Sequence, residues 1–176
     1  MAASELGRIH IITGPGKGKT TAAFGLAMRA AGHGLRVCII QFMKTGETTG
    51  EAVSARRLKG IELVQFGTGR FVDPEHIDEA DRAAARDALE YLRKRVSAGG
   101  CDILILDEVN VAAAFGLVRA GDVLKIIRMR GKGVEVIMTG REAPEEFIRA
   151  ADYVSSIEDT KHPFTKGLKS RKGVEW

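Results

Sequence analysis

Short uninterrupted apolar runs alternate along the whole chain with alanine-rich stretches whose apolar positions recur at helical spacing. Apolar runs without polar alternation belong to strands covered on both faces, so the pattern predicts an α/β fold, a mostly parallel central sheet with helices on both faces. Strands are read at Arg8 to Ile12, Leu35 to Phe42, Ile61 to Gln65, Ile103 to Leu106 and Val134 to Met138, with a last one at Tyr153 to Ile157. Helices are read at Thr20 to Ala31, Glu51 to Leu58, Val109 to Phe115 and Asp122 to Met129. Asp73-Pro74-Glu75 predicts a further helix start, with an aspartate able to cap, proline at the first helical position and an acid in the first turn. That helix is expected to run to about Ser97, with Ile77, Ala80, Ala84, Leu89, Leu92 and Val96 inward and Arg82, Arg86, Arg93 and Lys94 on a solvated face.

The first strand leads into Thr13-Gly14-Pro15-Gly16-Lys17-Gly18-Lys19-Thr20-Thr21, and an alanine-rich helix follows. This is the context of a phosphate-binding loop: small residues let backbone N–H groups close around phosphate oxygens, Lys19 reaches the outer phosphates, and the Thr20 hydroxyl holds Mg²⁺. Gly14, Pro15, Gly16, Lys17, Gly18, Lys19, Thr20 and Thr21 are therefore the expected nucleotide cradle. The general pattern has glycine where this chain has Thr13, and Gly14 and Gly16 are expected to supply the tight backbone instead. A second acidic element fits the same site. The apolar run Ile103 to Leu106 ends in Asp107-Glu108, carboxylates at a strand tip where open α/β sheets bind ligands. Taken alone, the two acids could merely cap the next helix; beside the phosphate loop they read as metal-side residues.

Length and charge change this picture little. The 176 residues suit one domain, 1–176, and a net charge of +4 accommodates an anionic ligand as readily as nucleic acid. The aromatic content of 6% leaves no base-stacking platform, which argues against nucleic acid as a partner. Neither of the 2 cysteines, Cys38 and Cys101, stands in metal-ligand spacing, so a zinc site and a disulfide framework are not expected and a reducing cytoplasm is. No apolar run reaches membrane-spanning length, and Met1-Ala2-Ala3-Ser4-Glu5 lacks a secretory pattern. The stretch Glu158 to Trp176 is rich in Lys, Gly and Arg, like a basic tail. Its apolar Pro163, Phe164, Leu168, Val174 and Trp176 favour a segment, 158–176, that packs back across the site.

Read in order, TGPGKGKTTAAFG from Thr13 to Gly25, GHG at Gly32 to Gly34, QF at Gln41-Phe42, LDE at Leu106 to Glu108, TGR at Thr139 to Arg141, AADYVS at Ala150 to Ser155 and KHPFTKGLKSRKGVEW from Lys161 to Trp176 resemble the P-loop ATP:corrinoid adenosyltransferases (cob(I)alamin adenosyltransferases). The resemblance covers nearly the whole chain. It implies a RecA-like P-loop domain, often homodimeric, and transfer of the 5′-deoxyadenosyl group of ATP to the Co(I) centre of cobalamin or a corrinoid precursor, with tripolyphosphate leaving. It implies ATP as co-substrate, Mg²⁺, a reduced corrinoid, and an electron donor such as a reduced flavoprotein. Lys19, Thr20 and Glu108 are then the expected catalytic residues, Thr20 and Glu108 hold Mg²⁺ with Asp107 in support, and Arg141 meets the polyphosphate.

The chain departs from the family in places. Pro15 stands where asparagine is common, which removes a backbone donor. Some members carry an aromatic pair in the loop equivalent to Thr68 to Val72, where it displaces the corrinoid's lower ligand. Here Arg70 and Val72 align with that pair and Phe71 lies between them, either a corrinoid contact or a packing anchor. Competing functions are a RecA-like ATP hydrolase acting with nucleic acid, using Glu108 to activate water, and a non-enzymatic corrinoid- or nucleotide-binding module.

Overall fold

The computed structural model describes residues 5–46, 49–163 and 167–174. In chain order they form β1 (Ile9–Thr13), α1 (Lys19–Gly32), β2 (Val37–Phe42), α2 (Gly50–Ala55), β3 (Ile61–Phe66), α3 (Glu79–Ala98), β4 (Ile103–Asp107), α4 (Val109–Ala114), α5 (Ala120–Arg128), β5 (Glu135–Thr139), α6 (Glu145–Ala150) and β6 (Tyr153–Ser156). The strands make one 6-stranded sheet in the order β3-β2-β4-β5-β1-β6, with every neighbouring pair parallel.

Period-two alternation sends the central strands' side chains to both faces, and each face is covered. On one, Cys38, Ile40, Leu104, Leu106, Val136 and Met138 pack with Ala85, Ala88 and Leu92 of α3, Val123, Ile126 and Ile127 of α5 and Phe147 of α6. On the other, Val37, Ile39, Ile103, Ile105 and Ile137 meet Ala23, Ala27 and Ala30 of α1. The three alanines lie on one helical stripe, and their small side chains let α1 approach the sheet closely. The helix that carries Lys19 and Thr20 is thereby seated under the carboxyl ends of the strands.

Two differences from the sequence reading concern helices. Asp73-Pro74-Glu75 does not start α3; Asp73 instead closes a turn, its carboxylate accepting from Glu75 N at 3.0 Å and its carbonyl from His76 N at 3.1 Å. The cap is Asp78, which accepts from Asp81 N at 3.0 Å, so Ile77 precedes the helix. Arg82, Arg86, Arg93 and Lys94 are exposed, as a solvated face requires. The short α6, with Phe147 buried, was not read from the sequence at all.

Candidate active site

Strand register brings the polar ends of the strands into one row. Gln65 of β3 pairs with Gln41 of β2, Gln41 with Asp107 of β4, Leu106 with Met138 of β5, and Ile12 of β1 with Thr139. The residue after Leu106 therefore comes beside the residue after Met138, which sets Asp107 next to Thr139. Side-chain hydrogen bonds follow this row. Arg56 donates to Gln65 Oε1 at 3.0 Å, Gln65 Nε2 to Gln41 Oε1 at 2.8 Å, and Gln41 Nε2 to Asp107 Oδ2 at 2.9 Å. Thr139 Oγ1 donates to Asp107 Oδ1 at 2.6 Å.

Asp107 is fully buried, and Thr20 and Lys44 complete its surroundings. Thr20 Oγ1 donates to its Oδ1 at 2.9 Å, and Lys44 Nζ to its Oδ2 at 2.7 Å. Burial opposes ionisation of Asp107, yet the Lys44 ammonium and the hydrogen bonds from Lys44, Thr139 and Gln41 hold its pKa below the usual aspartate value. Glu108 has the opposite sign: burial and the neighbouring Asp107 charge push its pKa up, against the pull of Lys44, Lys19 and Arg141. Its backbone lies in the left-handed region at φ 62°, and its N–H donates to Thr139 Oγ1 at 3.1 Å. The Lys44 pKa is raised: burial works against its charge, and Asp107 and Glu108 outweigh that.

The phosphate loop is shaped by chain crossings as well as by its own sequence. A Cβ on Gly14 would lie 2.5 Å from Ile157 O, and one on Gly16 2.7 Å from the same oxygen, so both positions require glycine. Gly14 also has φ +94°. The segment just beyond β6 fastens the loop from outside, with Gly16 N donating to Ile157 O at 2.7 Å and Lys17 N to Asp159 Oδ1 at 3.1 Å. Lys19 folds back over the loop, its Nζ donating to Gly14 O at 2.7 Å and Gly16 O at 2.5 Å. Burial and then the Arg141 charge lower its pKa.

A cavity of about 970 Å³ opens above these groups. Its lining includes the polar or loop residues Gly16, Lys17, Gly18, Lys19, Thr20, Thr21, Lys44, Glu108 and Arg141 and the apolar residues Met43, Phe71, Val72, Val111, Phe115 and Val174. Gly14 and Pro15 do not border it, and Asp107 lies beneath it, reached through Thr20 and Lys44. Phe71 is 92% exposed, which removes the packing-anchor reading within this chain; Val72 beside it is the buried residue. Arg70 turns to Asp78 and lies 4.0 Å from Asp81. His162, Ser170, Gly173 and Val174 border the cavity too, and Lys17 Nζ donates to Val174 O at 3.0 Å. Phe164 and Trp176 lie outside the described residues.

The sequence reading left Lys44, Thr139 and the polar row from Arg56 to Gln41 without a role. Except for Arg56, which follows α2, their signal was position: each polar residue stands at or just beyond the carboxyl end of a strand, but only the strand order shows that they meet Asp107.

The donor set can be tested against Mg²⁺. No group of three or more His, Cys, Asp and Glu side chains forms a cage among the described residues. A hydroxyl and two carboxylates are nevertheless the hard oxygen donors Mg²⁺ takes when waters and phosphates complete its shell, and Thr20, Asp107 and Glu108 supply them around one positive centre, the Lys44 ammonium. The residues fit the ion.

A parallel sheet with a glycine-rich loop after β1, a lysine and threonine opening α1, and an acidic tip on β4 defines a P-loop nucleotide-binding protein of the RecA-like class. Residues 5–176 match the family model described as ATP:corrinoid adenosyltransferase BtuR/CobO/CobP. The chain is 34% identical over 175 residues to the corrinoid adenosyltransferase of Escherichia coli K12, covering 99% of this chain and 88% of that one. It is 35% identical over 176 residues to the corrinoid adenosyltransferase of Pseudomonas aeruginosa, covering 99% and 86%. To the corrinoid adenosyltransferase CobA of Salmonella typhimurium it is 34% identical over 175 residues, covering 99% and 88%. The chain belongs to the ATP:corrinoid adenosyltransferase family.

Proposed function

We propose that this protein transfers the 5′-deoxyadenosyl group of ATP to the Co(I) centre of cobalamin or a corrinoid precursor and releases tripolyphosphate. The observation that carries the reading is the mixed lining of the cavity, which joins a phosphate loop and cations with apolar residues and an exposed aromatic ring. Such a space suits a triphosphate set against a large, flat, mostly apolar ring.

In the reaction the cobalt electron pair attacks C5′, the C5′–O bond breaks, and the bonding pair leaves with the triphosphate. Cobalt is itself the nucleophile and carries no proton to be removed, so the chain needs no general base for this step. Its tasks are to hold the two substrates in line and to stabilise charge on the leaving group. Lys19 and Arg141 face that charge, and Gly16 to Thr21 cradle it, with Gly14 and Pro15 shaping the loop from outside the cavity. Thr20 and Glu108 would hold Mg²⁺, with Asp107 orienting the Thr20 hydroxyl from below. When bound, the ion neutralises part of the phosphate charge. Phe71, Val72 and Phe115 would bound the corrin ring.

The reading takes 1–176 as one domain, with 158–176 part of the site through the contacts of Asp159, His162 and Val174. It also includes a homodimer, an electron donor such as a reduced flavoprotein, and a cytoplasmic setting. The free buried thiols of Cys38 and Cys101 suit a reducing compartment, and among the described residues no helix is long and apolar enough to cross a membrane. The test is anaerobic incubation of the protein with chemically reduced corrinoid and MgATP. Adenosylcorrinoid, recognised by its light-sensitive spectrum, should form in step with free tripolyphosphate. Accumulation of ADP and phosphate with an unchanged corrinoid spectrum would favour hydrolysis and reject the transferase.

A further inference from the structure

The Thr20 and Glu108 oxygens assigned to the metal, with the Asp107 carboxylate that supports them, are already gathered around a cation of the chain's own. Lys44 Nζ lies 2.7 Å from Asp107 Oδ2, 3.1 Å from Thr20 Oγ1 and 3.7 Å from Glu108 Oε1. The lysine stands just past the end of β2, and β2 is hydrogen-bonded to β4, so the sheet itself delivers the ammonium to the acidic tip of its neighbour. Met43, left-handed at φ 59°, turns the chain at that point.

A divalent ion on the Thr20 oxygen would share that oxygen with the ammonium. Two cations competing for the same donors across so short a gap repel strongly, and the hydroxyl and carboxylates cannot serve both well. Lys44 is held at the inner position by its ammonium contacts with Asp107, Thr20 and Glu108, the donors a metal would take. Its side chain is 26% exposed and borders the cavity, and a flexible four-carbon stem can turn outward without backbone movement. The positive charges of Lys19 and Arg141 also act on Glu108. The carboxylates thus have their charge balanced by side chains of the protein, and extra positive charge is welcome only when it arrives with phosphates.

We propose that Lys44 is the cation this chain places on the metal-side oxygens, exchanged for the metal as the nucleotide loads, and that its displaced ammonium then turns into the cavity toward the triphosphate. This rests on the nucleotide-site reading above. Before the nucleotide loads, Lys44 acts as a positioning residue that keeps Thr20, Asp107 and Glu108 together, and afterwards it adds a cation on the leaving group. The exchange also explains why a site rich in oxygen donors should take a divalent ion weakly without nucleotide.

Lys44→Met keeps the apolar stem and removes the charge. With Mn²⁺ as probe and no nucleotide, its binding read by loss of the free-ion electron paramagnetic resonance signal, Lys44→Met should bind about tenfold tighter than wild type or more. Lys44→Arg, which keeps the charge, should bind as weakly as wild type. In EDTA, Lys44→Met should melt below wild type, because Asp107 loses its counter-ion. Mn²⁺ affinity for Lys44→Met equal to or weaker than wild type overturns the proposal. Should Lys44→Met fail to fold, acylation of wild-type lysines followed by peptide mass spectrometry decides: Lys44 should react slowly in EDTA and faster with Mn²⁺ and a non-reacting ATP analogue. An unchanged rate overturns the exchange. The underlying reading is tested separately by the rise in wild-type melting temperature with MgATP. If that rise is missing the nucleotide site itself fails, whereas a rise combined with wild-type Mn²⁺ binding by Lys44→Met rejects the exchange alone.

Discussion

Replacing Asp107 by asparagine removes one charge from the centre of the site and leaves its shape intact, so the cost can be worked from the hydrogen bonds. Oδ1 accepts from Thr20 and Thr139, and Oδ2 accepts from Gln41 and Lys44. Asparagine has one acceptor oxygen, and the polar row decides where it must point. Arg56 can only donate, which fixes the orientation of Gln65, which in turn leaves Gln41 only its NH₂ to present. Lys44 can only donate as well. The new carbonyl must therefore face Gln41 and Lys44, and the new NH₂ the two threonines, whose hydroxyls can turn to accept.

Every partner survives the change and the charge does not. Charge-assisted hydrogen bonds contribute roughly 1.5–3 kcal/mol against about 0.5–1.5 for neutral ones, so weakening the Lys44 and Gln41 bonds costs about 2 kcal/mol. Removing one member of a fully buried ion pair costs about 3–5 kcal/mol, but Glu108 lies 3.7 Å from Lys44 and takes over part of the pairing, which keeps the total near the lower figure. At this chain length about 2 kcal/mol lowers the melting temperature by roughly 4–8 °C. The assay is urea and thermal unfolding of both proteins in EDTA. Because the Asp107 pKa is held below its usual value, its contribution is fully present above the unfolded-state pKa and is lost as pH falls through the lower folded-state one. The gap between wild type and Asp107→Asn should close as pH is taken down through that window. A neutral-pH difference under about 0.5 kcal/mol, or one that does not change with acidification, would refute the charge balance described here.

Further outcomes follow from the same geometry. Lys19→Ala should raise the transfer barrier by about 3–4 kcal/mol, seen as a loss of turnover at saturating substrates, and near-normal turnover would remove Lys19 from the mechanism. Glu108→Gln should slow transfer yet stabilise the nucleotide-free protein, because an acid with a raised folded-state pKa is penalised when ionised. That gain should be present above the raised pKa and vanish below the unfolded-state one, as unfolding across pH will show. Phe71→Ala should leave the melting temperature unchanged, since the ring is 92% exposed, and should slow adenosylation starting from Co(II) with a weak reductant more than that of pre-formed Co(I). Equal loss from both starting states would reject a role for Phe71 in displacing the lower ligand.

The strands and the phosphate loop were legible because their signals are local: buried parallel strands leave continuous apolar runs, and the loop's glycines, lysine and threonine are consecutive. The start of α3 was not, since Asp73 and Asp78 both carry capping chemistry and only the folded chain shows which one meets an N–H of the helix. The 6-residue α6 is too short to show a period and buries only Phe147. In the site, Lys19, Thr20, Glu108 and Arg141 could be named from motifs, and the cavity collects them. Lys44, Gln41 and Thr139 could not be given roles, because what joins them to Asp107 is register between strands far apart in sequence.

Backbone conformation ties these parts together. Among the described residues, the non-glycine positions with positive φ are Met43 at 59°, Glu108 at 62° and Glu142 at 54°. All of them border the cavity, and they follow the carboxyl ends of β2, β4 and β5 respectively. A left-handed residue costs roughly 1 kcal/mol or more, and such strain persists where the surroundings over-determine it. Here the surroundings do so: Glu108 N–H is held by Thr139, and Gly140, two residues before Glu142, packs so tightly that a Cβ would lie 2.9 Å from Val111 N. Each strained turn bends the chain sharply at the sheet edge instead of letting the strand run on. The residues set there, Lys44, Glu108 and Arg141, then face one another across a short gap, and strain at three strand ends serves a single cluster of charge around the phosphate loop.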